Sequence, residues 1–148
     1  MTIDPTVADL LAKARTAQAL YEKFNQAEVD DVVAAIAWVV LEPVRNQHLS
    51  ERAVEDTGLG DVDDKFTKNH RKTLGLLRDL TGAPSVGVIA TDSERGLIEI
   101  ARPIGVVGAI TPSTNPVATP TNKVMNALKG GNAIILAPSP RGEAVCEE

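Results

Sequence analysis

GVVGAITPSTNPVATPTNKVMNALKGGNAIILAPSP, residues Gly105 to Pro140, is the stretch whose reading decides the fold. It opens on a short apolar run, Val106 to Ile110, too short for a helix of several turns. A polar loop bracketed by prolines follows, Thr111-Pro112-Ser113-Thr114-Asn115-Pro116. Helical sequence then runs to Lys129 and is stopped by Gly130-Gly131, and a second apolar run, Ala133 to Leu136, closes the stretch. Strand, loop, helix and strand in that order make a βαβ unit, which requires a parallel pair and a right-handed crossover. The polar loop then lies at the carboxyl end of the first strand, where open α/β sheets hold their ligands.

The rest of the chain supplies surroundings for this unit. Asp4-Pro5 is a helix start, an N-cap carboxylate followed by proline at the first helical position. Val7, Leu10, Ala14, Ala17, Tyr21 and Phe24 form one apolar stripe behind it. Asn25 and Glu28 have capping-box spacing for a second helix, in which Val29, Val32, Val33, Ile36, Val39 and Val40 mark a broad apolar face. Pro43 is expected to end or bend that helix, and a third is expected from Asn46 to Thr57, with Leu49, Ala53 and Val54 inward and Gly58 as its stop. Gly58-Leu59-Gly60 follows a helix and so reads as a turn, not a dinucleotide loop. A fourth helix spans Asp61 to Leu80, with Phe66, His70, Leu77 and Leu80 on or near one face. Its Lys65, Lys68, Arg71, Lys72 and Arg78 read first as a solvated basic face and second as a patch for an anionic ligand.

After Gly82-Ala83-Pro84 the periodicity changes. Ser85 to Ala90 and Leu97 to Arg102 flank the polar turn Thr91 to Gly96, which predicts a β-hairpin with a long loop. Two strands are marginal alone, so the arms are expected to add to another sheet. The predicted organisation is an N-terminal helical segment over 1–84, a hairpin over 85–102 and an α/β unit from 103 to 148.

Composition limits the function classes. Hydrophobic residues at 43% and charged ones at 24% describe a globular chain, and a net charge of −5 argues against nucleic acid as a partner. Aromatics are only 3%, so the core is built from aliphatic residues. A single cysteine, Cys146, rules out an intrachain disulfide and fits a reducing compartment. Met1-Thr2-Ile3-Asp4-Pro5 lacks the order of a signal peptide and no apolar run reaches membrane-spanning length, so a cytoplasmic protein is expected. His48 and His70 have no metal-ligand spacing, and no metal site is expected.

The loop offers hydroxyls from Thr111, Ser113 and Thr114, the Asn115 amide, and backbone N–H groups near a helix start. Such groups suit an anion or an oxyanion. A plain capped helix after a tight turn, with Asn115 or Thr114 as the N-cap, stands beside that reading and slightly ahead of it. Cys146 precedes two glutamates, which raise a thiol pKa, so it reads as a helix-lining residue and not a nucleophile.

At this loop the sequence resembles the aldehyde dehydrogenase superfamily, most closely its CoA-acylating branch. That branch comprises acetaldehyde, propionaldehyde, sulfoacetaldehyde and succinate-semialdehyde dehydrogenases that make acyl-CoA. The resemblance rests on Ala14-Arg15-Thr16-Ala17-Gln18, Ala53-Val54-Glu55-Asp56-Thr57-Gly58, Asp64-Lys65-Phe66-Thr67-Lys68-Asn69 and Gly87-Val88-Ile89. Its strongest part is Ala101-Arg102-Pro103-Ile104-Gly105-Val106-Val107-Gly108 running into TPSTNP, where non-acylating relatives usually carry PWNFP. The resemblance implies an α/β fold: N-terminal helices, a hairpin for an oligomerisation sheet, and the first βαβ unit of a Rossmann-like NAD(P)-binding domain. It implies that Ile110, Thr111, Pro112, Ser113 and Thr114 line the nicotinamide side of NAD or NADP, and that Ala137, Pro138, Ser139 and Pro140 lie beside the adenosine. Asn115 is implied as the oxyanion amide, one position off from the PWNFP asparagine, and Lys123 as a supporting lysine. Relatives often have lysine where Ala137 stands and histidine where Ser139 stands, which leaves NAD against NADP open. The implied reaction converts a small aldehyde and CoA to acyl-CoA in a homo-oligomer assembled through the 85–102 hairpin. Family members are several hundred residues long and their catalytic cysteine lies beyond this segment, so the 148 residues alone are expected to be inactive, and a non-catalytic oligomerisation or nucleotide-binding module of the same fold is the alternative reading.

Overall fold

The computed structural model describes residues 3–148; Met1 and Thr2, the first residues of the leader reading, lie outside it. Helix α1, Pro5–Tyr21, begins as the sequence requires, with the Asp4 carboxylate accepting from the Thr6 amide at 2.8 Å and Pro5 in the first turn. It covers strands β3 and β4 described below. Only part of the expected stripe does so: Ala14 and Tyr21 are half-buried together with Leu11 and Gln18, whereas Val7, Leu10 and Phe24 remain exposed. Phe24 lies past the helix end and packs on the Tyr21 ring at a centroid distance of 5.0 Å.

Helix α2, Gln26–Leu41, carries both halves of the capping box, with Asn25 Oδ1 accepting from the Glu28 amide at 3.1 Å and Glu28 Oε2 from the Asn25 amide at 2.8 Å. It is the central helix. Val29, Val33, Ala37 and Val40 are buried at spacings of four, four and three, and α2 packs against α3, α4 and α5.

Helix α3 corrects the expected boundary. It spans Pro43–Thr57 and starts at the proline itself, three residues before Asn46. Proline costs nothing at the first helical position, where its missing N–H would have no partner. The cap is Glu42, whose carboxylate accepts from the Val44 and Arg45 amides at 3.1 and 2.7 Å. Glutamate is outside the usual capping set, so the start has no ordinary sequence signal. Gly58 ends the helix with φ 63, in the left-handed region that a C-terminal glycine supplies.

Helix α4, Val62–Leu80, keeps part of the expected face, with Leu77 and Leu80 packed against the core and Phe66 half-buried, but extends it with polar residues. Lys65, Asn69 and Thr73 are buried, and His70 is exposed. The face is extended because α3 brings its own polar residues to meet it. Asn69 Nδ2 donates to Asn46 Oδ1 at 3.1 Å and to Ser50 Oγ at 3.3 Å, and Asn46 Nδ2 donates to the Phe66 carbonyl at 3.0 Å. An amide seam between Asn46, Ser50 and Asn69 thus stands beside the apolar contacts of Leu76, Leu77 and Leu80, while the buried Thr73 hydroxyl has no partner among the described residues.

Strands β1, Gly87–Asp92, and β2, Leu97–Ala101, form the expected antiparallel hairpin, with a register shift between Val88 and Ala90. Among the described residues it joins no other sheet. Its base is clasped by Gln26, whose side-chain oxygen accepts from the Ser85 and Val86 amides at 2.7 and 3.2 Å.

The βαβ unit is as read. Strand β3, Val106–Ile110, pairs in parallel with β4, Ala133–Ala137, in continuous register from Val106 opposite Ala133 to Ile110 opposite Ala137. Helix α5, Ala118–Lys129, connects them, and a short helix α6, Glu143–Glu147, follows. The core joins the helices to this unit: Val33 and Ala37 of α2 meet Met125 of α5, while Val40, Leu49 and Ala53 meet Val117 and Val145.

Candidate functional site

Parallel pairing puts the carboxyl ends of β3 and β4 side by side, so the loops that leave them share one edge. Two hydrogen bonds carry the ladder past the strand ends: the Thr111 amide donates to the Ala137 carbonyl at 3.0 Å, and the Ser139 amide to the Thr111 carbonyl at 3.1 Å. Thr111 is buried, while Ile110 beside it is 80% exposed. The expected nicotinamide-side residues 110–114 and adenosine-side residues 137–140 therefore adjoin, as neighbouring loops at the edge of the expected cleft.

The far ends of the loops are joined as well. Gly142, at φ 156, lies against Pro116 so closely that a Cβ on it would fall 2.8 Å from the Pro116 Cβ and 3.6 Å from Thr57 Cγ2. Asp56, near the end of α3, accepts the Val145 amide at 2.8 Å and so caps α6 from another element, since α6 has no side-chain cap of its own. Arg52 reaches both Asp56 and Glu148, at 3.8 and 3.0 Å.

The alternative reading of the loop, a plain capped helix, is corrected by the geometry. Helix α5 begins at Ala118 with Val117 in the cap position, and no side chain caps it. Neither Thr114 nor Asn115 is spent on that end. The Asn115 side chain is half-buried and has no hydrogen-bond partner among the described residues, and the Ser113, Thr114 and Ser139 hydroxyls are equally uncommitted. An amide that the protein leaves uncommitted and open to solvent is free to donate to a ligand. This donor set is neutral, and the two side chains that reach the first loop's backbone are cationic: Lys123 Nζ donates to the Ile110 carbonyl, and Lys68 Nζ lies 3.5 Å from the Thr114 carbonyl. Neutral donors with nearby positive charge fit a dinucleotide, whose amide, hydroxyl and phosphate groups ask for such partners.

Cys146 lies outside this cleft. It lines an apolar cavity with Val117, Pro120 and Val145. Burial, followed by the charge of Glu147, pushes its thiol pKa up, opposite to what a nucleophile needs. His48 is engaged with Glu148, Nε2 to Oε2 2.8 Å. Among the described residues no cluster of three or more His, Cys, Asp or Glu side chains could hold a metal ion, and no helix is long and apolar enough to cross a membrane. Sequence reasoning gave Lys68 first to a solvated face and second to an anionic-ligand patch; the packing of α4 beside the loop is what brings it to the Thr114 carbonyl.

Known proteins share this arrangement. The sulfoacetaldehyde dehydrogenase (acylating) of Cupriavidus necator is 64% identical over 140 residues, which cover 95% of this chain and 28% of that protein. Among solved structures, an acetylating aldehyde dehydrogenase from Geobacillus thermoglucosidasius superposes with a TM-score of 0.89 at 36% identity, covering 95% of this chain and 31% of that one. A propionaldehyde dehydrogenase from Rhodopseudomonas palustris, solved with bound CoA and an acylated cysteine, superposes with a TM-score of 0.76 at 32% identity, covering 92% and 30%. The chain thus spans less than a third of the length of these relatives and matches their N-terminal portion. The sequence pattern of the aldehyde dehydrogenase family matches residues 4–148, and the chain belongs to that family.

Proposed function

We propose that this chain is the N-terminal part of a CoA-acylating aldehyde dehydrogenase, in which it supplies one wall of the dinucleotide cleft and the amide that stabilises the reacting oxygen. The observation that carries the reading is the Asn115 side chain, uncommitted to any protein group, on a loop bonded directly to the loop of the second strand. The 64% identity to an acylating sulfoacetaldehyde dehydrogenase supports a sulfonated aldehyde as substrate.

In this proposal Ile110 to Thr114 flank the nicotinamide and Ala137 to Pro140 the adenosine of NAD or NADP. The dinucleotide, when bound, supplies the two-electron acceptor for the oxidation. The work of the chain's own residues is positional and electrostatic. The Thr111 backbone, bonded in both directions to β4 and its loop, fixes the spacing of the two walls. Lys123, bonded to the Ile110 carbonyl, ties the loop to α5. Asn115 donates its amide to the carbonyl oxygen as a cysteine from the remainder of the enzyme adds to the aldehyde carbon, where negative charge develops. CoA thiol then displaces that cysteine from the thioester. The enzyme is proposed to act in the cytoplasm as a homo-oligomer assembled through the 85–102 hairpin, with residues 1–84 as a helical cover and 103–148 as the start of the cofactor domain.

Reduced dinucleotide formed from sulfoacetaldehyde plus CoA tests the reading. The intact enzyme is expected to be active, and Asn115→Ala to retain dinucleotide binding while losing turnover. These 148 residues alone are expected to be inactive, because their only thiol is the half-buried Cys146. Turnover by the isolated chain, or full activity in Asn115→Ala, refutes the assignment.

A further inference from the structure

Helix α4 carries a stripe of cations, one of which reaches the loop that holds Asn115. Lys65, Lys68 and Lys72 are spaced by three and four residues and so lie along one side of the helix. Lys65 is only 4% exposed. Lys68 is half-buried, and its Nζ stands 3.5 Å from the Thr114 carbonyl, one residue from Asn115. An ammonium has three donors, and this long contact uses one of them.

Among the described residues no carboxylate answers this charge. Neither the three lysines nor Arg71 takes part in an ion pair with any acidic side chain. Of the acidic residues of the same helix, Asp63 and Asp64 lie in its first turn and Asp79, paired with Arg78 at 2.9 Å, in its last, while the N-cap Asp61 is occupied with the Asp63 and Asp64 amides at 2.8 and 3.3 Å. The pKa of Lys65 is lowered, first by burial and then by the charge of Lys68, so the two ammonium groups feel each other. Burying a cation without a partner is unfavourable, and placing a second beside it is more so. In a chain of net charge −5, such a cluster needs a reason.

We propose that Lys68, backed by Lys65, binds a tetrahedral oxyanion, a sulfonate or phosphate, on a ligand seated at the Thr111–Pro116 loop, and thereby sets the enzyme's preference for an anionic ligand. The inference rests on the proposed function. The same chemistry has two sources, the sulfonate of the aldehyde and the terminal phosphate of CoA.

The test measures kcat/KM in the intact enzyme and its Lys68→Met and Lys68→Arg variants, with sulfoacetaldehyde against propionaldehyde and with CoA against dephospho-CoA. If the sulfonate is the ligand, Lys68→Met loses roughly tenfold or more on sulfoacetaldehyde beyond any loss on propionaldehyde, as expected for one charge-assisted hydrogen bond. If the phosphate is the ligand, the extra loss follows CoA and is absent with dephospho-CoA. Lys68→Arg keeps most of either preference, which separates charge recognition from misfolding. Equal losses across both pairs overturn the proposal. An intact wild-type protein without CoA-dependent turnover would sink the functional reading instead. The lysine site is then judged on the 148-residue chain by methanesulfonate titration, followed through the Thr114 and Asn115 amide resonances. A perturbation lost in Lys68→Met supports it, and one unchanged in Lys68→Met overturns it.

Discussion

Replacing Gly142 by alanine tests how the two walls of the cleft are held at their spacing. Two penalties act there. The backbone at φ 156 is one that L side chains rarely adopt, and the added methyl would sit 2.8 Å from the Pro116 Cβ, well inside van der Waals contact. An unfavourable backbone region costs about 1–3 kcal/mol and forced overpacking a further 1–3 kcal/mol, so a loss of about 2–6 kcal/mol is expected. Gly58 is the internal control. It also has positive φ, 63, but nothing lies within 4 Å of where its Cβ would stand, so Gly58→Ala should cost only about 1 kcal/mol. The entropy that alanine removes from the unfolded chain is the same in both variants and cancels in the comparison. Urea unfolding followed by far-UV circular dichroism is the assay, since the only tryptophan, Trp38, is 61% exposed and a poor reporter. Both variants should share the wild-type m-value while their midpoints separate. Equal losses at the two glycines would show that Pro116 yields freely, and that the loops are not braced against each other at this point.

Other outcomes follow from the same structure. Asn115→Ala in the intact enzyme is expected to lower kcat about 10²–10³-fold with little change in dinucleotide KM, as for loss of one oxyanion donor; steady-state kinetics decide it. Met125, fully buried between α2 and α5, should cost about 2–5 kcal/mol on replacement by alanine, read by the same urea assay. Tyr21 is the only tyrosine, and burial, helped by the charge of Asp30, raises its pKa to about 12. A phenol that holds its proton more tightly when folded contributes stability below pH 10, and that contribution fades as pH rises from 10 toward 12. Tyrosinate absorbance should therefore titrate higher in the native than in the urea-unfolded chain, and Tyr21→Phe should flatten the alkaline fall in stability. Coincident titrations in the two states would contradict the placement of its hydroxyl on the Leu128 carbonyl.

The elements that were legible in the sequence are those fixed by local chemistry. The capping box at Asn25 and Glu28, the glycine stop at Gly58, and the strand–helix–strand order from Val106 to Ala137 each follow from residues close together in the chain. Membership of the aldehyde dehydrogenase family was legible too, from TPSTNP and the segments around it. The misread features depend on a partner element. The polar part of the buried face of α4 is not legible because Asn69 looks like a solvent residue until Asn46 and Ser50 of α3 are placed opposite it. The start of α3 was displaced because glutamate caps it. At the site, hydrogen-bonding residues could be named from the loop, but their availability could not. That Asn115 is uncommitted follows only from seeing α5 begin at Ala118, and the role of Lys68 only from the packing of one helix beside a distant loop.

The hairpin carries a cost for anyone handling this chain by itself. Val88, Leu97, Ile98 and Ile100 are 55–62% exposed, and each arm has one edge whose N–H and C=O groups meet no other strand of the described residues. Apolar side chains on an open edge form a template for pairing with any extended segment, including the same hairpin of another molecule. Charge on the intervening turn, from Asp92, Glu94 and Arg95, guards only its tip. Shelf life of a purified preparation should therefore depend on protein concentration, with β-rich aggregates growing from residues 87–101 while the helical core remains folded.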